Sequence, residues 1–534
     1  MSATPQLTLS NALMCLRRRA EKADPQQLVQ TFVDVGRLFT LLSIQDNQVV
    51  FGRRGTGKTH ALQYLGASVR QDGDIACYTD LSKLGSSGSL YSDQVTCLPE
   101  RATRLLVDVL LDIHNELLGV FVEEAERYDL SQTGPLLDEL AEAVTQVQVV
   151  GTIEREVESR ASLTQRKTTG AKIDVSSAAI GAGLTDERSV EREHDEVGRV
   201  KVTGVEKHSM HFGSLTRVLE KLAKAIAPHR IWLLFDEWSS VPLDLQPYLA
   251  DLLRRGVFPV REVTVKIAAI EYRSEFQLSR GHRDRLGLEV GADISSDINL
   301  DDFMVFDNDA VQAREFFKTL FHKHLLVIDD VRDTELAQWS ADQMISGVFT
   351  QVTAFDELVR AAEGVPRDAI HIASLAAQYS GKEKISVPCV RRAAKKWYET
   401  GKKVALHSHG EAMALLHWII DEVIGARKAR AFMLQSDVKH PLIEDLFDAR
   451  VLHVLKRGIS THDEPGVRYD AYKLDYGCYV DLMTTSNAPR GLFDVSIEDT
   501  ASGFVDVPGD DYRSIRRAIL DLSLFESSRP PRQM

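Results

Sequence analysis

Two short stretches carry residues whose types and spacing can do phosphoryl chemistry. The first, Phe51–His60, reads Phe-Gly-Arg-Arg-Gly-Thr-Gly-Lys-Thr-His and fits G-x-x-x-x-G-K-[ST], with Gly52, Gly57, Lys58 and Thr59 in the fixed places. Glycines let backbone N–H groups turn inward onto an anion, and a helix N-terminus favours negative charge. Gly52, Gly55, Thr56, Gly57, Lys58, Thr59 and His60 are therefore the expected contacts to a triphosphate. Lys58 would reach its β- and γ-phosphates, and Thr59 would place its hydroxyl on Mg²⁺. The second stretch, Arg230–Trp238, stays apolar up to Asp236-Glu237. Asp236 is expected to hold Mg²⁺ through water, and Glu237 to orient and polarise an attacking water. The bland reading of the first stretch, a Gly-rich turn before a helix, requires that no acidic partner strand exist elsewhere. The second stretch supplies one.

These side chains need strands that end together. Val49–Phe51 reads as a buried strand before the loop, and His60–Leu65 as the start of a helix after it. The unbroken apolar run Ile231–Phe235 suits a strand covered on both faces, which puts both carboxylates at its C-terminal edge, where open α/β sheets take ligands. Ile75–Leu81 is another strand, and Arg101–Arg127 an amphipathic helix. Val263–Ile270 is a strand expected beside the phosphate-loop strand, closing in Glu271-Tyr-Arg-Ser274. There Arg273 or Glu271 could face the γ-phosphate, Arg273 having the charge to sense it; a plain surface arginine is the competing reading. Gly364-Val-Pro-Arg367 opens the helix Asp368–Tyr379, with Arg367 placed to point back at the phosphates. Phe32 and Val33 mark a slot for the base.

Composition bounds the rest. A chain of 534 residues is too long for one core. A 44% hydrophobic and 27% charged make-up is ordinary for a soluble protein. No apolar run reaches membrane-span length, and Met1–Gln30 lacks a secretory layout, so a cytoplasmic protein with no membrane association is expected. The five cysteines are scattered without metal-ligand spacing and read as reduced, mostly buried thiols. A net charge of −14 argues against a general polyanion binder, though not against local basic patches.

Five segments are expected. They are N-terminal helices (1–45), an α/β nucleotide-binding core with a parallel sheet and helices on both faces (46–300), a helical lid (301–404), a winged-helix-like domain (405–485) and a tail with a helix (486–534). Residues 129–211, charge-dense and rich in small residues, are expected to form an insertion in the core. In the fourth segment, two short helical pieces within His440–Arg457 and a β-ribbon over Tyr469–Leu482 suggest a winged helix-turn-helix. Its region Leu442–Arg450 carries Glu444, Asp445 and Asp448, a poor surface for phosphate. Val390–Lys403, with Arg391, Arg392, Lys395, Lys396, Lys402 and Lys403 around Trp397, is the better nucleic-acid candidate, against a solvated linker helix. Arg280, Arg283 and Arg285 could reach a neighbouring subunit's nucleotide in a homo-oligomer or lie solvated in a monomer.

The combination of Gly52–Thr59, Asp236-Glu237, Arg273 and Gly364–Arg367 ahead of a winged-helix-like segment resembles the AAA+ ATPases. More narrowly, it is similar to the branch near the origin-recognition-complex initiator ATPases and the STAND NTPases. The resemblance implies Walker A on Gly52–Thr59, Walker B on Asp236 and Glu237, sensor 1 near Arg273 and sensor 2 at Arg367. It covers about residues 30–480, with a long Lys58-to-Asp236 separation and Glu271-Tyr-Arg in place of a small polar sensor residue. What it implies is a P-loop ATPase using ATP and Mg²⁺ as a conformational switch. The alternative is a DNA-binding initiator- or loader-like ATPase, and in either case a DNA or protein partner would sit on the C-terminal domain.

Overall fold

The computed structural model describes residues 5–17, 24–34, 36–84, 91, 96–145, 147–155, 173–175, 190–192, 200–208, 212–279, 285–301, 309–438, 440–460, 466–483 and 518–527. Its organising element is a five-stranded, all-parallel sheet. The strands are β1 (Gln48–Phe51), β2 (Ile75–Asp80), β3 (Ile231–Asp236), β4 (Val263–Ala269) and β5 (Ser295–Asn299), in the spatial order β5-β1-β4-β3-β2. Every residue of β3 and β4 is buried, as continuous apolar strands covered on both faces require. On one face the helix Lys58–Gln71 packs Leu65 and Val69 against Ala76, Trp232 and Leu234. On the other, helices Leu98–Glu123, Leu130–Thr145 and Phe212–Ala225 close the main core. The α/β class with helices on both faces is thus the observed fold, and β4 lies directly beside the phosphate-loop strand.

Because the sheet is parallel, the C-terminal ends of β1, β3 and β4 share one edge. The Gly52 N–H donates to the Ala269 carbonyl at 3.2 Å, tying the first residue after β1 to the last of β4.

The expected insertion is shorter than 129–211. Leu137, Leu140 and Val144 of the helix Leu130–Thr145 lie inside the main core, so this helix belongs to the sheet's cover. The excursion begins at the strand Val147–Arg155, which pairs antiparallel with Val200–His208; Ile173–Val175 and Val190–Arg192 add short edges. Most of the charge-dense stretch lies outside the described residues.

A helical domain follows, built on Ala310–Leu326, Val352–Ala362, Pro366–Ser380 and Val387–Trp397. The N-terminal helix Pro5–Cys15 inserts Leu9, Ala12 and Leu13 into this same core and is packed as part of it.

The C-terminal domain has a three-stranded antiparallel sheet, β6 (Ala431–Gln435), β7 (Leu452–Ser460) and β8 (Arg468–Leu474), in the order β6-β8-β7. β7 and β8 form an antiparallel hairpin, with β7 lying where the second helical piece was expected. A single helix, Pro441–Asp448, ends as Arg450 turns left-handed at φ 60° and the Val451 N–H returns to the Leu446 carbonyl at 3.0 Å. The chain then enters β7 at once. The expected ribbon Tyr469–Leu482 also stops early. Asp475 accepts the Gly477 N–H through its own carboxylate at 3.0 Å, and the helix Tyr476–Met483 starts there. The tail helix Leu522–Ser527 returns Leu522 and Phe525 to this domain's core.

Candidate functional site

The loop from Gly52 to Gly57 has the shape that cradles phosphate. Gly55 and Gly57 sit at φ 93° and 104°, which side chains rarely adopt, and a Cβ on Gly55 would lie 2.8 Å from Arg367 Cβ. The Lys58 ammonium is buried and donates to the carbonyls of Gly52 at 2.7 Å and Arg53 at 3.1 Å. Burial pulls its pKa down, against the opposing pull of Asp236, Glu237 and Asp301. Thr56 folds inward, its hydroxyl donating to the Arg53 carbonyl at 2.9 Å.

Asp236 ends β3 with only 1% of its surface exposed. One carboxylate oxygen accepts the Tyr78 hydroxyl at 2.7 Å and the other the Glu237 N–H at 2.8 Å. Tyr78 comes from β2, the neighbour of β3 in the sheet. Glu237 turns left-handed at φ 53°, an uncommon backbone for a glutamate that points to a site constraint. Burial, then the charge of Asp236, pushes its carboxyl up from the usual range, while Lys58 and Arg54 pull the other way.

A cavity of about 580 Å³ opens over this loop. Arg54, Gly55, Thr56, Gly57, Lys58, Thr59, His60 and Glu237 form one wall, and Pro366 and Arg367 of the helical domain face them. Gly52, beneath the loop at the sheet edge, and Asp236, under Glu237, are not among the lining residues. At the far end Leu28, Phe32, Val33, His324 and Ile328 supply a mostly apolar slot. His60 is held there as a strut. Its Nε2 lies 2.6 Å from the Leu28 carbonyl and its ring meets Phe32 edge-on, and burial lowers its pKa. Arg367 also touches the loop by its backbone, donating N–H to the Gly55 carbonyl at 3.3 Å. The structure puts Lys58, Thr59, Glu237 and Arg367, four of the residues expected at the site, around one cavity, with Asp236 beneath.

It does not place Arg273. The turn Glu271–Arg273 after β4 faces the C-terminal domain, where Arg273 Nε pairs with Asp448 and Glu271 accepts both Arg457 nitrogens at 2.5 and 2.6 Å. Neither lines the cavity. The reason is local: Tyr272 between them packs edge-on to Phe447 at 5.1 Å and turns the segment outward. The basic helix is partly spent on internal contacts, with Arg392 and Lys396 left exposed. Arg391 pairs with Glu357 at 2.6 Å, Arg392 lies 4.1 Å over Tyr379, Lys395 pairs with Asp481 at 3.1 Å, and Lys402 is buried. Arg285 pairs with Glu289 at 2.8 Å, whereas Arg280 and Arg283 lie outside the described residues. All five cysteines are free, but only Cys77 and Cys478 are buried. Among the described residues no helix is long and apolar enough to cross a membrane.

The sequence missed Arg53, Arg54, Tyr78 and Asp301. The first two are the unspecified positions of the loop pattern. Tyr78 was findable, since its strand borders the acidic strand; nothing in the sequence signals Asp301.

A family model described as ORC-CDC6-like matches residues 17–83, from the N-terminal helices through the loop to the end of β2. The resemblance to AAA+ ATPases of the origin-recognition type is borne out over that stretch. Among solved structures, the ORC1 protein of Aeropyrum pernix in complex with DNA is similar at 12% identity, covering 85% of this chain and 95% of that one. Its TM-score of 0.29 is too low for the superposition to support an argument. No curated protein matches the chain.

Proposed function

We propose that this protein is an AAA+ ATPase that works as a nucleotide-driven switch, binding ATP with Mg²⁺ between the α/β core and the helical domain. The observation that carries the reading is the meeting of the Lys58 loop, Glu237 and Arg367 around one cavity, with Asp236 directly below. The backbone N–H groups of the loop and the Lys58 ammonium bind the phosphates. Leu28, Phe32 and Val33 enclose the base. Glu237, whose carboxyl burial and then the charge of Asp236 push up from the usual range, orients a water and accepts its proton. Arg367 belongs to the helical domain, so its contact with the phosphates exists only while that domain is closed on the core. Loss of the γ-phosphate removes part of what holds the two together.

The donor set fits magnesium. Thr59 and Asp236 offer hard oxygen ligands, and no cluster of three or more His, Cys, Asp or Glu among the described residues competes for a softer metal. Bound there, the ion would neutralise charge on the β- and γ-phosphates.

The test is turnover and binding together. Wild type should bind a slowly hydrolysed ATP analogue only with magnesium present and should release phosphate from ATP. Glu237→Gln should bind and not turn over. A Glu237→Gln protein with wild-type hydrolysis removes the assigned role, and a wild type without magnesium-dependent binding removes the whole proposal.

The initiator-like alternative has one observation in its favour, the ORC-CDC6-like match over residues 17–83. Its proposed contact helix is weakened by the internal pairing of Arg391 and Lys395. DNA affinity that falls steeply with salt would revive it.

A further inference from the structure

Arg53 occupies an unspecified position of the phosphate loop, yet it is 3% exposed and turned away from the cavity. Its backbone N–H and Nε both donate to the Asp301 carboxylate, at 2.8 and 2.7 Å. Its Nη1 crosses into the C-terminal domain, donating to the Leu452 carbonyl at 2.9 Å and meeting His453 Nδ1 at 3.2 Å. The guanidinium lies 4.4 Å over the ring of Phe447.

The chain of contacts continues and returns. His453 is buried, and burial, then the Arg53 charge, drives its pKa well below the ordinary value, so the ring is neutral. With Nδ1 accepting from Arg53, the proton sits on Nε2 and is donated to Asp475 Oδ2 at 3.2 Å. Asp475 pairs with the Lys402 ammonium, and Lys402 pairs with Asp368 at 3.0 Å. Asp368 pairs with Arg450 at 2.7 Å, and Arg450 Nη1 reaches the carbonyl of Arg54 at 3.4 Å. The circuit thus leaves the phosphate loop at residue 53, crosses the C-terminal domain and the first turn of the helix that carries Arg367, and re-enters the loop at residue 54. Its charges balance: Arg53, Lys402 and Arg450 against Asp301, Asp368 and Asp475.

We infer that Arg53 is a positioning residue through which the C-terminal domain sets the shape of the phosphate loop, so that nucleotide binding and C-terminal docking are one coupled equilibrium. This rests on the nucleotide reading above. The Arg53 carbonyl accepts from Lys58 while the Arg53 side chain grips β7. A phosphate that draws Lys58 to itself therefore acts on the same residue that holds the domain. A docked domain fixes Asp301 and Arg53 against the loop and presents it preformed, and preformed sites bind more tightly. Linkage makes the effect reciprocal: nucleotide must tighten docking by the factor by which docking tightens nucleotide.

The experiment uses the full chain and the magnesium complex of a slowly hydrolysed ATP analogue. His453→Gln keeps a donor for Asp475 but takes its acceptor away from the Nδ1 position that faces Arg53; Arg53→Lys keeps the charge and loses the fork. Analogue affinity should fall at least about fivefold in each, and the double variant should fall no further than the worse single one. In wild type the analogue should slow amide exchange in β7, and in both variants that protection should vanish. If wild type binds the analogue and His453→Gln binds it equally, with β7 protected as before, Arg53 is mere domain glue and the inference is wrong. If wild type does not bind the analogue, it is the nucleotide reading itself that has failed. Should Arg53→Lys prove insoluble, His453→Gln, which alters no cavity-lining residue, carries the comparison alone.

Discussion

Two groups of charged residues leave the same edge of the sheet, and they are handled in opposite ways. Toward the cavity stand Lys58 and Glu237, buried or half-buried, neither in an ion pair at contact distance among the described residues, and both with shifted protonation equilibria. Toward the C-terminal domain stand Arg53, Glu271 and Arg273, each matched to a partner of opposite sign: Asp301, Arg457 and Asp448. Burial without pairing costs free energy and persists where a ligand or a reaction uses it. Burial with pairing fixes an arrangement. The edge is therefore a site on one side and a joint on the other, and Arg53 and Lys58, five residues apart, belong to different halves.

Breaking the site half should give the largest effect. Lys58→Ala and Glu237→Gln should each lower ATP turnover by about 10²- to 10⁴-fold, the range for removing a charge-stabilising or proton-accepting group from a water-excluded site. Thermal midpoints should move little, because neither side chain has an ion-pair partner that its replacement would leave as an unmatched buried charge. A steady-state phosphate-release assay beside a melting curve checks both statements.

Breaking the joint half should reverse that pattern. Asp368→Ala leaves Lys402 and Arg450 without their shared carboxylate. Burial alone would push the Asp368 carboxyl up, but Arg450 and Lys402 more than reverse it and the net shift is downward, so the charged form is the one the fold uses. Uncompensated buried charge costs about 3–5 kcal/mol. Chemical denaturation should show that loss, and replacing Asp342, an exposed acid paired with Lys318, should not.

The sequence made the site half legible and left the joint half almost dark. Gly52, Lys58, Thr59, Asp236 and Glu237 owe their places to local spacing and strand context, both of which a single chain displays. Arg53 and Arg273 owe their roles to residues 248 and 175 positions away, Asp301 and Asp448, and no periodicity encodes such pairings. The same blindness explains the basic helix. Arg391 and Lys395 look free along the chain because Glu357 and Asp481 come close only after folding. Strand and helix positions in the core followed from apolar runs, whereas the C-terminal domain departed where single residues, Arg450 and Asp475, end elements by their own backbone or side-chain geometry.

Acid separates the halves more gently. His453 in the joint and His60 and His324 beside the cavity are all kept neutral by burial, His324 with its pKa lowered to about 3. Below an unfolded value of about 6.5 the unfolded chain takes up protons that the folded chain refuses. Stability is therefore full above that pH and declines as pH falls toward the folded values. Each such histidine contributes a slope of up to about 1.4 kcal/mol per pH unit. Unfolding midpoints measured from pH 7.5 to 5 should fall, and His453→Gln should fall less steeply than wild type. An equal slope in the variant would place the acid sensitivity elsewhere.

Arg273 should give the smallest effect, and it is the sharpest discriminator between the halves. Its side chain is 46% exposed and its partner Asp448 sits in the C-terminal domain, outside the cavity lining. Burial pushes the Asp448 carboxyl up from its ordinary range even with Arg273 opposing it. Without Arg273 that acid can take up a proton instead of remaining a bare buried charge. Arg273→Ala should then cost no more than about 1 kcal/mol of stability, as half-exposed pairs do. Its ATP turnover should stay within about twofold of wild type, whereas Arg367→Ala should lose tenfold or more by the loss of a charge at the phosphates. A tenfold fall for Arg273→Ala would mean that the turn after β4 swings from the joint into the cavity during the reaction, and that the two halves exchange residues instead of dividing them.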